Sequence, residues 1–354
     1  MDSQHKINHL SLLIENGIDF FERSISQIES EPKYSIINFC AGVELILKAR
    51  LLYEDWKLLI DGDTDESKFE SGDFKTINFI DLIPKIKTIP GEKITKSRKN
   101  AFAKLAKHRN KIIHFYHEAH SNNKEAELAQ IATEQYIGWF FLYELIKKWG
   151  NILESYSSDF LKLNSKIMQY KKYLQVKFDK IKDDITNEKK QDILYCDCIY
   201  CKFHAARKEN IEEDLYNNKC RICEQNFDSL SISCPDKCGG IIEITPDNIY
   251  ESQFECLNCD YIIEKDELRE LLNCDPITKD NYYFKNNINC PFCGERDVVI
   301  KYETLYVCLN CLEYSDTIET CECCEEDQLG GVPEDSYNIG CEFCDGYIAL
   351  HEND

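Results

Sequence analysis

The sequence predicts a multidomain chain. An all-α bundle covers residues 1–150, a helical stalk and linker cover 151–192, and four small β-rich cysteine modules follow at 193–230, 231–273, 286–316 and 317–354. Three observations lead there. Apolar residues recur at steps of three and four through the first half of the chain. Of the twenty cysteines, Cys40 is the only one before residue 196, and the other nineteen lie between Cys196 and Cys344. Residues 1–200 balance 30 basic against 30 acidic side chains, whereas residues 201–354 hold 12 against 34, so the whole net charge of −22 sits on the cysteine-rich half.

The helical elements follow in order. Residues 7–29 are amphipathic. Behind Pro32, a second helix over 35–53 places Ile37, Cys40, Val43, Leu47 and Leu51 on one stripe. The acidic stretch DGDTDESKFESGD (61–73) reads as a polar loop. A short helix over 77–87 ends before Pro90-Gly91. Ser97 is placed to cap a helix over 98–118, and 125–148 is a strongly apolar helix carrying Trp139, Phe140 and Phe141. From Leu153 the steps Leu153, Tyr156, Phe160, Leu163, Ile167, Tyr170 and Leu174 form a heptad seam, expected on a long helical stalk. The charged run KDDITNEKKQD (182–192) reads as the linker behind it.

Nothing resembles a signal peptide, and the apolar run IGWFFLYELI (137–146) is too short to span a bilayer, so a soluble cytoplasmic protein without a membrane partner is expected. Gly-rich phosphate loops, dinucleotide fingerprints and nucleophile elbows are absent from the sequence, which argues against those enzyme classes.

The cysteines pair as knuckles in four blocks: Cys198/Cys201 with Cys220/Cys223, Cys234/Cys238 with Cys256/Cys259, Cys290/Cys293 with Cys308/Cys311, and Cys321/Cys324 with Cys341/Cys344. Such spacing matches tetrahedral Cys₄ zinc sites, and CPDKCGG and CPFCG resemble zinc-ribbon knuckles. Each block is too small to fold on apolar burial alone, so Zn²⁺ is expected at four structural sites. Cys196 competes with Cys198 as a ligand, and Cys323 competes with Cys321 and Cys324. His204 is a further, less favoured donor. Residues 301–354 carry one basic residue, Lys301, against 14 acids, so this end should repel nucleic acid. It suits recognition of a protein trigger or inhibitor, or restraint of a basic cleft. The first block, with Lys202, Arg207, Lys208, Lys219 and Arg221, is the least acidic.

The most telling stretch is AKHRNKIIHFYHE (106–118), which sets an arginine, three histidines and a tyrosine within ten residues. Phe102, Leu105, Arg109, Ile112 and Tyr116 fall on one helical stripe, and Asn110, His114 and His117 on the next, with Lys104, Lys107 and Lys111 adding positive charge. An arginine on an apolar stripe calls for a partner. One reading pairs it with Glu44 on the earlier helix and leaves His114 and His117 on the surface. The other makes the group a site.

Arg109-Asn110-x-x-x-His114-x-Tyr116 resembles the R-x4-H signature of HEPN domains, in the fuller R-x4-H-x-Y form of HepT-type toxins. The resemblance covers residues 1–150, and VELILKARLLYEDWKLL (43–59) is similar to the second helix of that superfamily. It implies a metal-independent endoribonuclease, a toxin-like or antiviral defence effector, acting on RNA as a homodimer through the HEPN domains. Carried over, Arg109 holds the scissile phosphate, His114 exchanges protons with the 2′-hydroxyl or the leaving 5′-oxygen, and Asn110 orients the substrate or His114. Glu44 and Lys48 support Arg109, or form an ordinary intrahelical pair. Tyr116 is a modifiable tyrosine or a core residue. The family also holds members that bind RNA or nucleotides without cleaving, and a zinc-scaffolded adaptor in which the helical domain only dimerises is a further alternative.

Overall fold

The computed structural model describes residues 3–62, 64–71, 73–114, 124–281 and 286–347. The chain divides into two compact units, Met1–Ile181 and Lys182–Asp354.

In the helical unit, α1 (Ser3–Gln27) and α2 (Pro32–Glu54) form a hairpin. Pro32 occupies the first turn of α2, where its missing N–H costs nothing. α3 (Glu66–Ser71), α4 (Phe79–Ile86), α5 (Lys96–His114) and α6 (Lys124–Lys148) follow. The rings of Phe21, Phe39 and Trp139 meet in the centre, Phe21 and Trp139 edge to face at 5.4 Å. Two glycines permit this closeness. A Cβ on Gly42 would sit 2.6 Å from the Phe21 ring, and one on Gly138 would sit 2.5 Å from Leu105 Cδ1, which sets how near α5 approaches α6.

Four expectations need correction here. The acidic loop at 61–73 contains α3, held down by Phe69, which is buried and stacked on Phe74 at 4.7 Å with Trp56 at 4.9 Å. One aromatic in a polar run suffices to anchor it. Ser97 lies inside α5, and the side chain of Thr95 accepts the Arg98 N–H instead. The stalk is not a stalk. Residues 150–189 break into α7 (Gly150–Leu153), a 3₁₀ turn (Glu154–Tyr156), α8 (Ser157–Met168) and α9 (Lys171–Lys189). Leu153, Phe160, Leu163, Ile167 and Tyr173 are buried in the same core as Phe21 and Trp139. Trp139 Nε1 donates to Asn164 Oδ1 at 3.1 Å, and Tyr170 Oη donates to the Ile25 carbonyl at 3.1 Å. A 3–4 seam announces one buried stripe; it does not say whether another chain or the bundle itself covers it. The charged segment 182–189 continues α9 as helix, with Ile185 buried.

The cysteine unit is β-rich. Strands β1 (Tyr195–Asp197), β2 (His204–Glu212), β3 (Leu215–Cys220), β4 (Asn226–Ser233) and β5 (Ile241–Ile244) form one antiparallel sheet in chain order. β6 (Gln253–Glu255) and β7 (Ile262–Glu264) form a hairpin, followed by α10 (Lys265–Leu272). A six-stranded sheet completes the unit in the order β11 (Tyr314–Ser315), β10 (Leu305–Cys308), β9 (Glu295–Tyr302), β8 (Ile288–Cys290), β13 (Asp327–Leu329), β12 (Ile318–Thr320), with β8 and β13 parallel. A short α11 (Ser336–Ile339) precedes the final knuckle.

The four blocks therefore do not fold as four free modules. β4 and β5 join the first two blocks, and β8 with β13 joins the last two. Leu230, Ile242, Phe254, Leu268, Ile300 and Val307 share one core that runs through the first three. Spacing between cysteines reveals ligands; it carries no information about which block's edge strand pairs with which.

Candidate functional site

A cleft of about 530 Å³ opens in the helical unit, lined by Arg109, Asn110 and His114 from α5, Cys40 and Glu44 from α2, and Thr76 to Asp81 leading into α4. The core supplies its position. Phe102 and Leu105 bury one face of α5, and Ala106 is small enough to floor the cleft. That leaves Arg109 half-buried at the cleft wall and Asn110 and His114 exposed to it.

The guanidinium of Arg109 donates from Nη1 to Asn110 Oδ1 at 3.1 Å. Among the described residues no carboxylate lies in ion-pair contact with it. Glu44, the acid expected as its partner, instead accepts from Lys48 at 2.6 Å, and the same ammonium donates to Thr76 Oγ1 at 2.9 Å. Lys48 thus supports Glu44 and the α4 approach, not Arg109 directly. Behind them, burial pushes the Cys40 thiol up to about 12, and the nearby Arg109 charge only partly opposes this. Cys40 is a neutral apolar wall of the cleft. His114 makes no hydrogen bond among the described residues. Tyr116 and His117 lie outside the described residues.

The third histidine of the stretch faces elsewhere. His108 donates to Glu134 of α6 at 2.9 Å, and Gln130 and Lys104 reach the same carboxylate at 3.1 and 3.4 Å. The His108 bond, with help from Gln130, holds the Glu134 carboxyl down at about 2 against the opposing effect of burial. Nothing in the sequence pointed to Glu134, because the pair forms between two helices and not along one.

The cysteine unit brings together four sulfur clusters: Cys198, Cys201, Cys220 and Cys223; Cys234, Cys238, Cys256 and Cys259; Cys290, Cys293, Cys308 and Cys311; and Cys321, Cys324, Cys341 and Cys344. Within each, all sulfurs lie within 4.8 Å of one another, so each can hold a metal ion. Four sulfurs at about 2.3 Å from a central zinc form a tetrahedron with edges of about 3.8 Å. The nearest sulfur pairs stand 3.5 to 3.9 Å apart.

The backbone is built for this. After the second cysteine of five C-x-x-C knuckles the chain turns left-handed, at Lys202, Glu224, Gly294, Leu312 and Glu325, with φ between 61° and 71°. Each of these residues donates its N–H back to the carbonyl of the first cysteine, at 2.8 to 3.1 Å. Backbone N–H groups also point at sulfur, as from Ile222 to Cys220 and from Asn310 to Cys308, both at 3.3 Å. Such donors favour thiolates. The two competing cysteines stand outside the clusters: Cys196 is buried with its thiol on Asn218 Oδ1 at 3.4 Å, and Cys323 is the unused thiol of CECC. His204 pairs with Asp197 at 2.7 Å.

No described helix is long and apolar enough to cross a membrane. No protein-family model matches the chain, and no curated protein and no solved structure matches it.

Proposed function

We propose that the chain is a metal-independent endoribonuclease of the HEPN type, working from the α5 cleft, with Zn²⁺ in the four cysteine centres as structural metal. One observation carries this reading: Arg109 lies in an open cleft with Asn110 and His114, and no described carboxylate, Glu44 and Asp81 of the cleft lining included, is in ion-pair contact with it. A guanidinium so placed is suited to a phosphodiester, offering a planar donor fork. RNA brings its own nucleophile, so the protein needs a cation at the phosphate and groups that move protons. The 2′-oxygen attacks phosphorus, the bond to the 5′-oxygen breaks, and a 2′,3′-cyclic phosphate and a free 5′-hydroxyl result. His114 takes the 2′ proton or supplies the 5′ proton. Asn110 fixes the plane of the Arg109 guanidinium. A homodimer would place a second His114 at the same phosphate and so supply both proton transfers.

Four thiolates leave no open position on a metal, which assigns the cysteine centres to folding and not to chemistry. With Lys301 alone against 14 acids in residues 301–354, that end is suited to a protein trigger or inhibitor.

The test is cleavage of single-stranded RNA by the zinc-loaded protein during brief exposure to EDTA, comparing wild type with His114→Ala. Cleavage by wild type alone supports the reading, and equal cleavage by both refutes the assignment of His114. A second reading, RNA binding without cleavage, draws on the absence of any described side chain that orients His114. It predicts equal RNA affinity and no product from either protein.

A further inference from the structure

Three hollows succeed one another around α5. The Arg109 cleft is the first. A second, of about 430 Å³, shares Ile80 and Asn110 with it and adds Lys107 and Lys111. A third, of about 240 Å³ between α5 and α6, shares Lys107 and Lys111 with the second and adds Lys104 and His108. Helical geometry explains the continuity. At about 100° per residue, Asn110, His114, Lys107, Lys111 and Lys104 stand at about 100°, 140°, 160°, 200° and 220° around the axis from Arg109. The polar residues of α5 thus run as an arc from Asn110 through His114 and Lys107 to Lys111 and Lys104, and Arg109 stands apart from its near end, beyond Ala106 and the exposed Ile113.

Charge along this arc is arranged for a polyanion. Lys107, which lines both outer hollows, is exposed and has no ion pair among the described residues. Three lysines meet two carboxylates in the third hollow, Glu127 and Glu134, and Glu134 is already engaged by His108, Gln130 and Lys104. From Lys104 to His114 the arc rises about 15 Å along the axis, the span of about four stacked nucleotides at about 3.4 Å each.

We propose that the cleft and the two outer hollows form one track for single-stranded RNA. The scissile phosphate sits at Arg109, and the flanking backbone runs over Lys107 and Lys111 to Lys104. This deepens the ribonuclease reading of the cleft and rests on it. The track sets how long a substrate must be and makes binding sequence-tolerant, because lysines contact phosphate and not base.

The experiment uses full-length, zinc-loaded protein carrying His114→Ala, so that RNA stays intact, and a labelled unstructured single-stranded RNA. Affinity is followed by fluorescence anisotropy over a range of salt. Adding Lys104→Ala and Lys107→Ala together should lower the slope of log affinity against log salt by about 0.7 per lysine removed, and weaken binding equally for different sequences. Lys107→Arg should bind like the parent, and Lys162→Ala on α8 should change nothing. Circular dichroism confirms that each variant is folded. If the parent binds RNA and the double variant matches it in slope, the track is overturned while the ribonuclease reading stands. If the parent binds duplex RNA in preference to single strands, the proposed occupant is wrong. If the parent binds no RNA at all, the track and the reading beneath it fall together.

Discussion

The helical unit buries Trp139, Tyr136, Phe21 and Phe39 completely, whereas in the cysteine unit the most protected positions go to sulfurs such as Cys198, Cys290, Cys308 and Cys321 and to aliphatic residues between them. The first half of the chain is charge-neutral and the second carries −22. One unit is held by an apolar core that tolerates a polar arc on its surface. The other gathers like charge around points that only a cation can neutralise. The same chain should therefore come apart in two independent ways, and all three tryptophans, Trp56, Trp139 and Trp149, report on the helical unit alone.

The largest effect should come from metal removal. A structural zinc contributes about 10–16 kcal/mol of apparent folding free energy per site. A strong chelator should release four equivalents of metal per chain and abolish the β-sheet signal, with tryptophan emission unchanged. Loss of both signals together would mean that the two units are not independently stable.

Next comes the choice of ligands. Cys324→Ser should leave three metal ions per chain, while Cys323→Ser should keep four. Equal stoichiometry in the two variants would show that Cys323 substitutes freely in the last centre. A core truncation ranks below this. Trp139→Ala should cost the helical unit about 3–5 kcal/mol, read as an earlier urea midpoint, and leave the metal content intact. A change in metal content would couple the units.

These expectations also locate what the sequence could and could not say. The sixteen clustered cysteines were legible because a knuckle is local: two sulfurs, a tight turn and one left-handed residue within five positions. Helices α1, α2 and α5 were legible from one-sided apolar spacing, α4 from the Pro90-Gly91 break behind it, and α6 from its run of apolar and aromatic residues. The fate of the seam from Leu153 to Leu174 was not, because burial against Phe21 and Trp139 looks the same in sequence as burial in a coiled coil. α10 was not legible, although Glu264 and Glu267 form a capping box at its start, because its eight residues bury only Leu268 and Leu272, too short a pattern to declare a helical period. At the cleft, Arg109, Asn110 and His114 were readable along one helix. The capture of Glu44 by Lys48 and of His108 by Glu134 depends on which helix faces which.

The smallest effect is the most specific. The Glu134 carboxyl titrates near 2 instead of its ordinary 4.5, chiefly because His108 donates to it. Its side chain is 9% exposed and that of His108 14%. A carboxyl whose folded-state value is depressed stabilises the fold fully above its unfolded value, and that contribution is lost as pH falls through the folded one. For the helical unit the loss should run from about pH 4.5 down to about pH 2. The cysteine unit fails in acid for a different reason, since protonated thiols release metal. Tryptophan emission separates the two. Its urea midpoint should decline more steeply through this window in wild type than in Glu134→Gln, whose amide accepts the same imidazole bond without titrating. Parallel declines would mean that His108 and Glu134 are neighbours without energetic coupling, and that the lysine end of the α5 arc is not held in place by this pair.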